Sequence, residues 1–291
     1  MPSLDAPVQR AGAAKTAPLV NLRSEAFWGT FVLAAVTLLC LLGPLLWQVD
    51  PLKTNILGSL EPPTLAHPFG TDDVGRDVFA RFMAGGRYSL FTAALVVVIS
   101  TVIGGALGLA GGYFGGWTDK ILSRIMDAIL SFPPLILAMA VAIGLGAGLW
   151  SAVAGIVLAS IPWFFRLLRS EVLRIRTLTF VDAMRALGAS QTRIMFRHIM
   201  PQLSSTLLTQ ASSVFGFSVL TLAGLGFVGL GIQPPAPEWG TMITEGLAYA
   251  LTGQWWLGLF PGFGLFMLTA AGNMVADGLR DRFDPRAQRR R

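Results

Sequence analysis

The side chains that most often carry catalysis or bind metals are scarce in this sequence. His67 and His198 are the only histidines, and Cys40 is the only cysteine. Each histidine lies beside a predicted loop, and neither has the neighbours that a catalytic pair or a metal site requires. Cys40 lies within a run of leucines without a disulfide partner, which favours a buried free thiol. We therefore expect a protein that is not an enzyme and that holds no metal or cofactor of its own.

Two glycine patterns also bear on chemistry. Gly224, Gly226 and Gly229 match the dinucleotide-binding pattern G-x-G-x-x-G, but that pattern requires a preceding strand and a soluble crossover unit, and here it lies in an apolar run. The glycines at 104, 108 and 112 form G-x-x-x-G twice, which lets two helices approach closely, either within the chain or between subunits. The phosphate-binding pattern G-x-x-x-x-G-K-S/T does not occur. If ATP drives this protein, another subunit binds it.

The composition is that of an integral membrane protein. The 291 residues are 53% hydrophobic and 13% charged, about half the charged share of roughly 25% in a soluble domain. The mean hydropathy of +0.62 agrees, and the sequence pI is 10.2. Because the cations lie between apolar segments, the basic pI reflects membrane topology and not nucleic-acid binding. Soluble enzymes are excluded.

Runs without charged residues locate the membrane spans. They cover residues 26–49, 88–118, 128–165, 198–237 and 246–276. A spanning helix needs about 20 residues, so the third run is long enough for two helices, with a turn at the glycines at 144, 146 and 148. The fourth begins with polar residues and predicts one span over about 207–231. The sequence thus predicts an all-α protein with six transmembrane helices.

The positive residues set the predicted orientation. With the N-terminus in the cytoplasm, 18 lysines and arginines lie inside and four lie outside, as the positive-inside rule requires. The predicted organisation is a cytoplasmic tail over 1–26, a first transmembrane helix over 27–49 that acts as a retained signal anchor, an external segment over 50–87, a five-helix core over 88–277 with a cytoplasmic loop at 169–203, and a basic cytoplasmic tail over 278–291. No span has an obvious charge at its middle, which disfavours a proton-coupled carrier.

The cytoplasmic loop has helix-capping signals. Thr179 and Asp182 have the spacing of a capping box, and Gly188 is placed to end that helix in a left-handed conformation. Ser190 is placed to cap a second helix, which Pro201 follows. These residues predict a helix, a sharp glycine turn and another helix. An ordinary basic loop is the alternative.

This loop resembles the EAA loop of ATP-binding-cassette (ABC) importer permeases, with the pattern E-A-A-x3-G, nine residues, then I-x-L-P. Residues 182–184 (Asp-Ala-Met) stand at E-A-A, Gly188 stands at the glycine, and residues 198–201 (His-Ile-Met-Pro) stand at the end. This loop departs from the family pattern at four positions, with Asp in place of Glu, Met in place of the second Ala, His in place of Ile and Met in place of Leu. Segments 67–90, 111–139 and 226–243 are similar to the dipeptide, oligopeptide and nickel permeases, and the chain resembles their "C" type.

The resemblance implies a type I ABC importer permease fold in a bacterial cytoplasmic (inner) membrane. The implied partners are a homologous second permease, ATP-binding cassette subunits that hold ATP and Mg²⁺, an extracytoplasmic substrate-binding protein and membrane lipid. The implied cargo is oligopeptides or dipeptides. Nickel, haem, glutathione and oligosaccharide are alternatives for the same machinery, whereas a channel or secondary transporter is disfavoured. The residues implied to couple to the ATP-binding subunit are Val181, Asp182, Ala183, Met184, Arg185, Ala186, Leu187, Gly188 and Pro201.

Two predicted external segments each have two interpretations. Asp72, Asp73 and Asp77 lie near a helix start expected at Thr71, where they either cap the helix or form a docking or gating surface. The segment 234–256 holds tryptophans at 239, 255 and 256, which either anchor the chain at the membrane interface or contact the binding protein.

Overall fold

The computed structural model describes residues 22–283 of the chain, and its side chains are described over 25–280. Residues 1–21 and 284–291, which include most of the two predicted tails, lie outside the described residues. The described part is helical and contains no sheet, only an isolated bridge between Thr71 and Asp77. Its helices are α1 (Leu22–Leu46), α2 (Val78–Phe114), α3 (Gly116–Leu130), α4 (Pro134–Leu145), α5 (Leu149–Ile175), α6 (Thr179–Ala186), α7 (Gln191–Arg193), α8 (Ser204–Phe227), α9 (Trp239–Ala250) and α10 (Trp256–Phe283).

Within residues 22–283, five helices are long and apolar enough to cross a membrane. They are α1, α2, α5, α10 and a continuous helix over Gln191–Phe227 that contains α7 and α8. The helices α3 and α4 meet at an angle of 88° and together provide a sixth apolar segment. The six predicted spans therefore correspond to five long helices and one broken pair. The predicted turn between the third and fourth spans is also present, since α4 ends before Gly146, whose φ is +89°.

The helix α2 begins about ten residues earlier than the charge-free run suggests. Its N-cap is Asp77, which accepts a hydrogen bond from the backbone N–H of Ala80 at 2.6 Å. The expected helix start at Thr71 is therefore wrong, although capping by an aspartate is correct. A charge-free criterion misses the first turns because they contain Arg81 and Arg87. The Arg87 guanidinium donates to the carbonyls of residues 40 and 41 in α1, and Arg81 forms ion pairs described below.

The repeated G-x-x-x-G motif packs α2 against α5 within the chain. A Cβ atom built on Gly104 would lie 2.6 Å from the carbonyl oxygen of Ile161, and one on Gly108 would lie 2.7 Å from that of Phe165. These distances are shorter than any side chain tolerates, so the two backbones meet only because glycine has no side chain. Of the two interpretations of this motif, the structure shows the contact within the chain.

Two of the tryptophans in the segment predicted to be external belong to the core. Trp239 is fully buried and donates from its indole Nε1 to the carbonyl of Phe82 at 2.9 Å. Trp256 is also buried and donates to the carbonyl of Thr71 at 3.2 Å. Membrane anchoring and contact with a binding protein are thus both wrong for these two residues, and only Trp255 is half exposed. The two indole hydrogen bonds join α9 to the first turns of α2 and α10 to the segment just before α2.

Candidate functional site

The helix α6 is the short helix predicted in the cytoplasmic loop. Its N-cap is Leu178, and no side chain caps it. The predicted capping box is wrong, because Thr179 is the first helical residue, one position past the N-cap. The Asp182 carboxylate instead accepts from the Arg185 guanidinium at 3.1 Å, one turn along the same exposed face. An exposed pair of this kind is worth about 0–1 kcal/mol.

The glycine turn after α6 is confirmed. Gly188 has a φ of +77°, and the N–H of Ala189 donates to the carbonyl of Met184 at 3.0 Å. This is the six-to-one hydrogen bond of a Schellman turn. The second cap is also confirmed, since the hydroxyl of Ser190 accepts from the N–H of Arg193 at 3.3 Å. The turn therefore has a single defined geometry.

The helix after Ser190 does not stop at Pro201, contrary to the sequence prediction. It passes through a π-helical stretch (Ile194–Ile199) and a 3₁₀ turn (Met200–Leu203) into α8. Proline lacks an N–H and would leave a carbonyl of the preceding turn without a donor in a regular α-helix. The change in hydrogen-bond register accommodates Pro201, and the side-chain amide of Gln202 donates to the carbonyl of His198 at 2.9 Å. The glycine turn is thereby joined to a membrane span without a break.

The inward side of the loop is packed against three helices. Val181 is fully buried in an apolar cluster with residues of α2, α5 and the helix after Ser190. The Arg176 guanidinium donates to the carbonyls of Gly112 and Tyr113 at 2.9 and 3.1 Å, which holds the end of α2 beside the end of α5. These contacts place the loop against the ends of α2 and α5.

The other side of α6 is largely exposed, and Arg185 reaches back from it, with its guanidinium 5.9 Å from the centre of the Tyr113 ring in α2. Leu187 is 81% exposed, and the two alanines at 183 and 186 beside it are also exposed. The turn thus presents one large apolar side chain and two small ones away from the rest of the chain. Of the nine predicted coupling residues, the following face outward: Asp182, Ala183, Arg185, Ala186, Leu187 and Gly188. Val181 faces inward, Met184 is half-buried, and Pro201 is exposed farther along the helix toward α8.

An ion-pair cluster at the start of α2 was missed by the sequence analysis. Arg81, only 2% exposed, lies 3.0 Å from Glu245 of α9 and 3.4 Å from Asp72. Arg76 also pairs with Asp72, at 2.6 Å. Asp72 therefore belongs to an ion-pair network and not to a helix cap. Glu245 is 164 residues from Arg81 in sequence, and no local pattern indicates that the two meet.

Glu238 is a buried carboxyl that the sequence analysis did not single out. Its two oxygens accept from the N–H groups of Gly240 and Thr241 at 2.9 and 3.0 Å, which caps α9. Burial raises the pKa of this carboxyl from 4.5 to about 7, against the opposing effect of the two N–H donors. Among residues 22–283 there is no group of three or more side chains that could hold a metal ion.

The sequence matches one family of membrane transport proteins and several named relatives. The model of the family "binding-protein-dependent transport system inner membrane component" matches residues 100–289. The chain is 39% identical over 258 residues to the dipeptide transport system permease protein DppC of Alkalihalophilus pseudofirmus, covering 89% of this chain and 84% of the relative. It is 40% identical to the probable D,D-dipeptide transport system permease protein DdpC of Escherichia coli, covering 88% and 86%.

A third relative is named for a different cargo. The glutathione transport system permease protein GsiD of Pectobacterium atrosepticum is 40% identical over 226 residues, covering 78% of this chain and 75% of the relative. Among solved structures, an inward-facing structure of the MetNI methionine ABC transporter matches with a TM-score of 0.53 and 20% identity, covering 69% of this chain and 97% of that chain. At this identity the likeness shows the fold alone.

Proposed function

Because the chain belongs to the family of binding-protein-dependent transport system inner membrane components, we propose that it is the permease subunit of an ATP-driven importer of short peptides. It has the type I ABC importer permease fold and is not itself an enzyme. Dipeptides are the proposed cargo, since the first two relatives are dipeptide permeases. Glutathione, itself a tripeptide, is the second candidate because the third relative transports it.

The observation that carries the proposed mechanism is the connection from α6 to α8 through one defined turn and one continuous helix. The Schellman turn at Gly188 and the continuous helix over Gln191–Phe227 give the loop one geometry. The exposed face around Leu187 is the proposed seat of an ATP-binding subunit. When two such subunits close on ATP, they press on α6 in this chain and on its counterpart in a second permease. The spans then alternate between inward-facing and outward-facing states.

The proposed partners follow from this mechanism. ATP and Mg²⁺ are bound by the ATP-binding subunits, a homologous permease completes the passage, and an extracytoplasmic binding protein delivers the peptide. The proposed orientation places both termini and α6 in the cytoplasm, because the cations are concentrated in those segments. The division into tails, first helix, external segment and core is part of the same proposal, except that α2 begins at Val78, within the segment assigned to the outside.

The test of this function is uptake in cells that lack the chain, with and without complementation. Labelled dipeptide, glutathione and nickel are measured in parallel. We expect dipeptide uptake to fall and to return on complementation. If glutathione or nickel uptake falls instead, the cargo is wrong and the machinery stands. If transport continues when ATP hydrolysis is blocked, the proposal of an ATP-driven importer is wrong.

A further inference from the structure

A cavity of about 490 Å³ opens between the end of α3, the middle of α5 and the first half of α8. It lies on the side of the spans that ends in the α6 turn. Its lining consists of Leu130, Trp163, Arg166, Leu167 and Gln210. None of these residues belongs to the coupling surface. The cavity combines one cation, one amide and one large aromatic ring.

The polar groups of this cavity do not suit contact with lipid. The hydroxyls near Gln210 are satisfied within their own helix, as Thr209 donates to the carbonyl of Ser205 at 3.1 Å and Ser213 donates to that of Thr209 at 3.3 Å. The amide of Gln210 has no such partner among the described residues and faces the cavity. An amide without a partner is costly to bury in hydrocarbon. Polar residues in a span line an aqueous passage or a protein contact instead.

Arg166 is held at the cavity by Asp127. The guanidinium Nη2 lies 2.7 Å from the carboxylate, and both side chains are more than half exposed. Asp127 accepts at one nitrogen, so other N–H donors of the guanidinium are available to a ligand. A planar guanidinium with free donors is suited to a carboxylate. Asp127 is thus a positioning residue for Arg166.

Trp163 provides the apolar part of the cavity. It lies three residues before Arg166, which places both side chains on the same face of α5. The indole ring packs against the ring of Phe217 in α8, with 5.9 Å between the centroids and 27° between the planes. Because Trp163 is still 44% exposed, a side chain of a ligand can pack against it. The cavity therefore offers a carboxylate site and an apolar site next to each other.

We propose that this cavity is a transit site for a short peptide on the passage that this chain contributes. Arg166 binds the terminal carboxylate, Gln210 bonds to the peptide group, and Trp163 packs against an apolar side chain. The inference rests on the proposed function, since it assigns the peptide a place within it. The open cavity is consistent with weak binding, because a transit site has to release its ligand.

The first test is chemical labelling of single cysteines. Cys40 is the only cysteine in the sequence, so Cys40→Ala provides a background for Leu130→Cys and Leu167→Cys, two lining positions that are assigned no contact with the peptide. The control is Val102→Cys, an exposed apolar position of α2 away from the cavity. The full complex is placed in inside-out vesicles without binding protein, and a charged methanethiosulfonate is added with or without millimolar alanylphenylalanine.

We expect the two cavity cysteines to react and the control to remain unlabelled. The dipeptide slows the reaction by about fivefold, which corresponds to about 1 kcal/mol, and alanylphenylalanine amide slows it much less. Labelling that the dipeptide does not slow means a watery crevice without a peptide site and overturns the proposal. Cavity cysteines that do not react mean that a partner chain or lipid covers the cavity, and this also overturns it.

The second test is uptake by charge variants of Arg166. We expect Arg166→Gln to lower dipeptide uptake by about tenfold or more, the loss of a charge-assisted bond of roughly 1.5–3 kcal/mol, while Arg166→Lys retains most of it. Trp163→Ala lowers uptake, whereas Trp150→Ala, at an exposed position near the start of α5, leaves it unchanged. If the wild type imports dipeptides and Arg166→Gln equals it, this inference alone fails. If the wild type imports no peptide, the proposed function fails first.

Discussion

At the scale of single residues, Gly188 is the position where backbone conformation and proposed function meet. Its φ of +77° lies in the left-handed region, yet a Cβ atom there would meet nothing within 4 Å. A substitution is therefore opposed by backbone strain and not by a clash. For a side chain other than glycine or asparagine this strain is about 1–2 kcal/mol.

Gly188→Val is expected to abolish peptide uptake while the chain still reaches the membrane. The strained turn changes the orientation of α6 relative to α8, so closure of the ATP-binding subunits no longer moves the spans. Uptake and membrane content are measured on the same cells. Gly188→Asn should retain activity, since asparagine tolerates this conformation. Gly144→Val is the matched control, because a Cβ at Gly144 is also unobstructed and its φ is not left-handed. Normal uptake by Gly188→Val would contradict the role of the turn.

Glu238 makes stability depend on pH. Its pKa in the folded chain is about 7 against 4.5, so the folded state binds the proton more tightly than the unfolded state. The stabilisation is fully present below about pH 4.5 and is lost as the pH rises through about 7. At about 1.4 kcal/mol per pKa unit, this amounts to about 3 kcal/mol.

Glu238→Gln is expected to remove this contribution. Thermal unfolding of the purified complex is followed at about pH 5 and about pH 8, and the shift in transition temperature between the two is compared with that of the wild type. The wild type should lose more stability toward high pH than the variant does. Equal shifts would mean that Glu238 does not titrate in this range.

At the scale of helices, the close contact between α2 and α5 can be tested by adding a methyl group at the glycines of α2. The Cβ of Gly108→Ala would lie 2.7 Å from the carbonyl oxygen of Phe165, whereas that of Gly105→Ala would lie 3.4 Å from a Leu168 methyl group. The carbonyl group of Phe165 is part of the α5 backbone and cannot move aside, whereas the Leu168 side chain can. Overpacking of this kind costs about 1–3 kcal/mol.

Gly108→Ala is therefore expected to lower the transition temperature and the yield of folded protein, while Gly105→Ala leaves both close to the wild type. The two variants add the same methyl group to the same helix, three residues apart. Thermal unfolding monitored by fluorescence in detergent compares them. Equal transition temperatures would show that the two helices do not meet as closely as the structure indicates.

The helix over Gln191–Phe227 connects the proposed coupling surface with the proposed transit site. Ser190 caps its start, and Gln210 faces the cavity farther along. A rigid helix carries a displacement along its length, whereas a flexible linker would absorb it. The register change around Pro201 lets this helix continue without a break from the proposed coupling surface to the proposed transit site.

At the scale of the whole molecule, the proposed orientation can be tested at three exposed leucines. Leu57 is 98% exposed between α1 and α2, Leu251 is fully exposed after α9, and Leu187 is 81% exposed in the coupling turn. Each is replaced by cysteine in the Cys40→Ala background. We expect Leu57→Cys and Leu251→Cys to react with a membrane-impermeant maleimide in intact spheroplasts. Leu187→Cys should react only in inside-out vesicles, prepared from cells without the ATP-binding subunits that would otherwise cover it. The reverse pattern would invert the topology.

The sequence by itself determined the membrane class, the six apolar segments and the turn at Gly188. These features depend on interactions between near neighbours or with the solvent. Apolar length decides whether a segment spans, and a glycine after a helix provides the left-handed turn whatever lies elsewhere. The EAA-like loop was recognisable for the same reason, since its spacing lies within one short stretch.

Only the tertiary structure decided where charged and aromatic side chains lie relative to distant parts of the chain. Arg81 is tolerated in a buried helix because Glu245, far away in sequence, neutralises it, and Trp239 is buried because the carbonyl of Phe82 accepts its N–H. Val181 is likewise buried because residues of α2, distant in sequence, and of α5 pack against it. The proposed transit site is of this kind, because Asp127, Arg166 and Gln210 come from three separate helices.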